Sequence, residues 1–208
     1  MEKVRRMGKP YRPKDHYFQR AKQRGFRARS AFKLEELVER FDLLRPGARV
    51  LDLGAAPGGF LQVIARMVGP SGLAVGVDLV ALRPFTEAWV RTAVVDVLAD
   101  GAQAQIEAVA RGPYDAVLSD MAPKTTGVRA TDEARSVRLA ERALELGRVL
   151  GKPGSSFVTK LFMGGDFEAF RAQLREAYRE VKVVRPEATR SASVEIYLVG
   201  LGLRPGDG

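Results

Sequence analysis

The sequence predicts an α/β fold: a mainly parallel seven-stranded sheet with an antiparallel hairpin at one edge and helices on both faces. Three observations lead there. Short β-branched runs alternate with amphipathic segments from residue 48 onward. The first run feeds into a glycine-rich turn that opens a helix. The last two runs are joined by a short stretch with no helical pattern, so they pair antiparallel, whereas the earlier ones are spaced for crossover helices.

Taken in order, a helix carrying Lys33 precedes the sheet, and ARVLDL (48–53) is the first strand. The segment GFLQVIARMV (59–68) follows, with apolar residues three and four apart, and LAVGVDL (73–79) and TAVVDV (92–97) are the next two strands. GAQAQIEAVAR (101–111) reads as a helix before the strand YDAVLSD (114–120). A long amphipathic run, TDEARSVRLAERALELGRVL (131–150), leads to the strand SSFVTKLF (155–162). DFEAFRAQLREAY (166–178) is the last helix, and VKVV (181–184) with SVEIYLVGL (193–201) forms the edge pair. In open sheets of this kind ligands bind beyond the carboxyl ends of the strands, where the strand order reverses.

A chain of 208 residues holds one well-buried core but not two ordinary domains with linkers. It divides into a basic extension (1–29), a single domain (30–203) and a frayed tail, RPGDG (204–208). No run of about 18 apolar residues exists, and Met1 to Tyr11 lacks an apolar secretory core, so a cytoplasmic protein with no membrane partner is expected. Zero cysteines exclude disulfides and thiol nucleophiles, and with the single histidine His16 no multi-histidine metal centre is expected.

The net charge of +9 is concentrated: residues 1–49 hold 15 Lys or Arg against 6 Asp or Glu, and the remainder holds 19 of each. Tyr11, Tyr17, Phe18 and Phe26 stand among these charges. Basic residues interleaved with aromatics are an electrostatic footprint for nucleic acid; the alternative is a solvated tail. His16 fits RNA contact or solvent exposure better than catalysis, because a basic tail is a poor place for a fixed base.

The turn LDLGAAPGGF (51–60) departs from a dinucleotide fingerprint, since Ala56 takes the place of the middle glycine and Pro57 has no N–H for a pyrophosphate. No Gly-Lys-Ser/Thr follows, so a phosphate loop fails too. Gly54, Gly58 and Gly59 instead allow close approach of a ligand with an amino-acid end, such as S-adenosylmethionine. Asp78, ending the second strand, suits two ribose hydroxyls. Asp96, closing the third, suits an adenine amino group or simply caps its loop.

These segments resemble the FtsJ family of S-adenosylmethionine-dependent RNA 2'-O-ribose methyltransferases. The resemblance is carried by RARSAFKLEEL (27–37), VLDLGAAPGGFLQV (50–63), DAVLSDMAPKTTG (115–127), GSSFVTKLF (154–162) and ATRSASVEIYLVG (188–200), in the family's order. It implies a class I methyltransferase fold, S-adenosylmethionine as cofactor, and RNA as partner, with 23S ribosomal RNA of the large subunit as the leading substrate. A transfer RNA methyltransferase, or a non-catalytic ribosome-assembly factor, is the alternative. The resemblance also implies cofactor contacts at Gly58, Phe60, Asp78, Asp96 and Asp120, and a catalytic tetrad of Lys33, Asp120, Lys160 and Glu195. Phe60 departs from the tryptophan of close bacterial relatives, which keeps an apolar or stacking contact but removes an indole N–H.

The tetrad has a physical logic of its own. Lys160 interrupts the apolar run FVTKLF, an expensive position for an ammonium unless it is paired or functional. If the four residues converge, a neutral Lys160 can accept the proton of a 2'-hydroxyl as that oxygen attacks the methyl group; the plainer possibility is two buried salt bridges without chemistry. The segment Met121 to Gly127 is expected either to touch substrate or to serve as a loop, and Arg190 and Ser191 either to bind an RNA phosphate or to solvate the edge hairpin. A monomer is expected.

Overall fold

The computed structural model describes residues 16–190 and 193–206. Residues 1–15 of the basic extension, Ser191 and Ala192, and Asp207 and Gly208 of the tail lie outside the described residues, as does the side chain of His16. The elements run α1 (His16–Gln23), α2 (Ser30–Phe41), β1 (Arg49–Leu53), α3 (Gly59–Val68), β2 (Leu73–Asp78), β3 (Val90–Val94), α4 (Ala102–Val109), β4 (Tyr114–Ser119), α5 (Arg129–Leu150), β5 (Gly151–Phe162), α6 (Phe167–Ala177), β6 (Tyr178–Val184) and β7 (Glu195–Leu203).

The strands form one sheet in the order β3-β2-β1-β4-β5-β7-β6. Every neighbouring pair is parallel except those made by β7, which runs antiparallel to both β5 and β6. The hairpin expected at one edge is there, with β7 as its inner strand beside β5 and β6 as the outer strand. Strand order reverses between β1 and β4, and a crevice opens beyond that point.

Alternation along the strands builds two cores. Leu51, Leu53, Val75 and Val117 point to the face covered by α4, α5 and α6, where Ile106, Leu144, Phe170 and Leu174 are buried. Val50, Ala74, Ala116 and Val158 point to the other face, against Leu34 and Leu37 of α2 and Leu61 and Ile64 of α3. Fully burying each such aliphatic side chain stabilises the fold by about 1.5–3 kcal/mol before entropy is counted. The α2 helix follows from apolar residues at 31, 34, 37, 38 and 41, and it stops where Asp42 turns left-handed (φ 49°) and its N–H bonds the Val38 carbonyl at 2.9 Å.

Several features differ from the sequence reading: β5 starts at Gly151, ahead of the run expected from 155, and β6 starts at Tyr178, which the reading placed in the last helix. The α1 helix was not foreseen in the extension, whose Ala21 and Phe26 are buried in the second core; its few apolar residues give little periodicity among the charges. The third strand spans 90–94, so Asp96 does not close it but lies in the following loop. There the Val95 N–H bonds the Asp78 carbonyl, Asp96 Oδ1 accepts the Leu98 N–H at 2.9 Å, and the chain turns away.

Candidate active site

The tetrad assembles because β7 runs against its neighbours. Its first residue, Glu195, pairs with Phe162 at the carboxyl end of β5, while Asp120 immediately follows β4. Lys160 projects two residues before the end of β5, and Lys33 arrives from α2. Lys33 Nζ donates to Glu195 Oε2 at 2.8 Å. Lys160 Nζ donates to the Asp120 carbonyl at 2.7 Å and lies 3.0 Å from Asp120 Oδ1. The two lysine side chains are only 5% and 7% exposed, an arrangement that is sustainable because each ammonium has a carboxylate partner.

Tyr197 joins the two pairs, and it was not singled out from the sequence. It stands opposite Lys160 in the β5–β7 ladder and is fully buried. Its hydroxyl donates to Asp120 Oδ1 at 2.5 Å, its ring centroid lies 5.4 Å from Lys33 Nζ, and Phe60 stacks on it at 6.4 Å with 26° between the planes. The available signal was the two-residue spacing of Glu195 and Tyr197, which puts both on one face of a strand. Burial, the Asp120 charge and the hydrogen bond to Asp120 push the phenol well above its ordinary value, so it remains a neutral donor. Burial alone would raise Glu195, but its hydrogen bond from Lys33 and the charges of Lys33, Lys160 and Arg29 hold the carboxyl below the usual range.

Beside the tetrad lies a cavity of about 320 Å³, lined among others by Gly54, Asp78, Asp96, Asp120 and Met121. Gly54 has φ 78°, and a Cβ there would stand 2.4 Å from Met121 Cγ. Asp78 Oδ2 accepts the Ala56 N–H and Oδ1 the Val80 N–H, both at 3.0 Å, leaving each oxygen a second lone pair for a hydroxyl. Asp96 caps its own loop with one oxygen and has the other for a ligand. Arg142 on α5 supports this wall, donating from Nε to the Val97 carbonyl at 2.7 Å and from Nη2 to that of Ala99 at 3.3 Å. Gly58, Gly59 and Phe60 do not line the cavity. A Cβ at Gly58 would meet Arg27 and Phe85, one at Gly59 would meet Ser30, and the Phe60 ring is buried against Tyr197. A cavity with no room for a Cβ at its Gly54 edge and with the acidic acceptors Asp78, Asp96 and Asp120 among its lining residues fits S-adenosylmethionine.

Asp52, on β1, is fully buried and neither carboxylate oxygen has a hydrogen-bond partner. Burial, then the charges of Asp120 and Asp78, push its pKa well above the ordinary value. The native state therefore holds a proton that the unfolded chain releases. This contribution is complete below about pH 4 and is lost as pH rises towards the folded-state value. Asp52→Asn is expected to gain in thermal midpoint over the parent as pH increases from about 5 to 8. Melting curves across that range check this; a gap that stays flat would show that Asp52 is not the titrating group.

Comparison with known proteins agrees with the geometry. Residues 26–203 match the model of the FtsJ-like methyltransferase family. The ribosomal RNA large subunit methyltransferase E of Myxococcus xanthus is 66% identical over 198 residues, covering 95% of this chain and 93% of that protein. The protein of the same name from Halobacterium salinarum is 46% identical over 188 residues, covering 90% and 73%. A crystal structure described as a ribosomal RNA methyltransferase of Plasmodium falciparum superposes with a TM-score of 0.75 at 23% identity, covering 86% of this chain and 98% of that one, and shares the fold. With a matching family model over most of its length and a cavity suited to the cofactor, the chain belongs to the FtsJ-like methyltransferases and takes its methyl group from S-adenosylmethionine.

Proposed function

We propose that this protein methylates the 2'-hydroxyl of one ribose, a uridine, in 23S ribosomal RNA of the assembled or assembling large subunit. It does so as a cytoplasmic monomer. The single observation that carries the chemistry is the Lys160–Asp120 pair, because Asp120 belongs both to the tetrad and to the cofactor cavity. The names of the Myxococcus and Halobacterium relatives support the choice of RNA.

The bound cofactor supplies an electrophilic methyl group. Lys160 has three N–H directions, two of which are taken by the carbonyl and Oδ1 of Asp120. When the third proton is given up, the amine keeps both bonds to Asp120 and turns its lone pair outward, ready to accept the hydroxyl proton. Asp120 thus holds the base in place, and Tyr197 holds Asp120. Lys33 spends one donor on Glu195 and has two others to steady the attacking ribose oxygen. The basic residues ahead of α2, Arg20, Lys22, Arg24, Arg27 and Arg29 among them, supply phosphate attraction; part of that charge is already committed, since Arg24 pairs with Glu35 at 2.8 Å. No described helix is long and apolar enough to cross a membrane.

The decisive test incubates the protein and labelled S-adenosylmethionine separately with large subunits, small subunits and bulk transfer RNA from cells lacking its gene, then maps the 2'-O-methylated nucleotide. Label confined to one large-subunit uridine is expected. Label in transfer RNA would overturn the substrate, and no label despite cofactor binding would favour a non-catalytic assembly role.

A further inference from the structure

The described part of the basic extension packs, through Ala21 and Phe26, on the sheet face covered by α2 and α3. On the face covered by α5 the site is bounded by residues 121–128, which have no regular secondary structure. One buried carboxylate fastens this loop. Asp132, in the first turn of α5 and only 8% exposed, accepts the Thr126 N–H at 2.7 Å and its hydroxyl at 2.9 Å through Oδ1, and the Gly127 N–H at 3.1 Å through Oδ2. The Thr126 hydroxyl oxygen in turn accepts the Val128 N–H at 3.2 Å. Gly127 has φ 84°, a turn that a side chain would oppose.

At its other end the loop is fixed as firmly, because Met121 packs over Gly54 and Asp120 is held by Lys160 and Tyr197. Between these anchors Lys124 and Thr125 stand exposed, and Arg135 of α5 reaches the Lys124 carbonyl at 3.4 Å. A cation is thereby presented four residues from Asp120, in the loop that leads into α5. A lysine on an untethered loop would lose more entropy on meeting a phosphate.

We propose that Asp132 is a positioning residue for the RNA substrate: by clamping Thr126 and Gly127 it presents Lys124 to a backbone phosphate next to the target ribose. This rests on the proposed RNA methyltransferase activity. With Asp132 in place the nucleic acid is gripped from both faces of the sheet, which fixes the direction in which the strand crosses the tetrad. Phosphate contacts of this kind set register rather than read sequence.

The test uses the full chain and the RNA substrate that the wild-type protein labels, so failure of the wild type to label any RNA would strike the parent assignment and not this one. Steady-state constants are measured for Lys124→Ala, Asp132→Ala and the double variant, with S-adenosylmethionine affinity read separately by calorimetry. Each single change is expected to raise KM for RNA about tenfold, to alter cofactor affinity less than twofold, and to lower the slope of log KM against log salt by about one. The double variant should be no worse than the singles, because both changes remove the same contact. Should Asp132→Ala fail to fold, Thr126→Val, which loses the hydroxyl's bonds to Asp132 and from Val128 but keeps the two backbone N–H bonds to Asp132, must still weaken the salt slope. Multiplying effects in the double variant, an unchanged salt slope, or an equal loss of cofactor affinity would each overturn the proposal.

Discussion

Replacing Lys160 with alanine is expected to lower the rate of methyl transfer by roughly 10²–10⁴-fold, the usual contribution of a positioned general base. Cofactor affinity should change little, because Lys160 is not among the residues lining the cavity. Lys160→Arg is an informative companion. It preserves positive charge and can still bond Asp120, yet a guanidinium does not give up its proton near neutral pH. If Lys160 only held Asp120 in place, the arginine variant would recover much of the activity; if it accepts the hydroxyl proton, both variants are inactive. Single-turnover transfer of labelled methyl, with cofactor binding measured by calorimetry, separates these outcomes. Turnover retained in the alanine variant would remove Lys160 from the base role.

Replacing Gly54 with alanine is expected to have the second largest effect, acting on the cofactor before the chemistry. The backbone at φ 78° costs an L-residue about 1–2 kcal/mol. The new Cβ would also sit 2.4 Å from Met121 Cγ, 3.1 Å from its Cα and 3.2 Å from its N. The methionine side chain can swing aside, but the two backbone contacts press on the segment that carries Asp120. S-adenosylmethionine affinity should therefore fall tenfold or more, about 1.4 kcal/mol, with a further loss in the rate of transfer. Gly25→Ala is the control: it shares a positive φ of 71°, but nothing lies within 4 Å of its Cβ position. Strain without collision should cost thermal stability only. Equal losses of cofactor affinity in both variants would mean that backbone strain, not the crowding of Met121, decides the effect.

Much of the fold was readable residue by residue. The helix over 59–68 agrees with the sequence reading at both ends, since Phe60, Ile64 and Val68 recur at the helical period and glycines flank the segment. β2 and β4 agree to within a residue, being apolar runs that end at an aspartate. The third strand was misplaced because an edge strand is half exposed and lacks the hydrophobic contrast that marks its limits. The basic helix α1 was missed because its fixed point is a tertiary one, the insertion of Ala21 and Phe26 beneath α2 and α3.

The candidate site divides in the same way. Lys33, Asp120, Lys160 and Glu195 were named from motifs, and Lys160 was conspicuous without them because a charge inside an apolar strand demands a reason. Asp132 and Arg142, by contrast, look like ordinary polar residues of a long amphipathic helix. Their partners, Thr126 and Gly127 in one case and the Val97 and Ala99 carbonyls in the other, are chosen by how α5 lies against the sheet.

By itself the sequence determined what is local or repeating: the alternation of elements, the glycine turn, the placement of acidic residues at strand ends and the concentration of positive charge in the first quarter. Tertiary structure alone decided which lysine meets which carboxylate, that Tyr197 bridges the two pairs, and that Asp52 is sealed without a partner. The physical reason is register. Hydrophobic periodicity fixes which face of a strand a side chain occupies, but the antiparallel insertion of β7 between β5 and β6 fixes its neighbour, setting Tyr197 opposite Lys160 and Glu195 opposite Phe162.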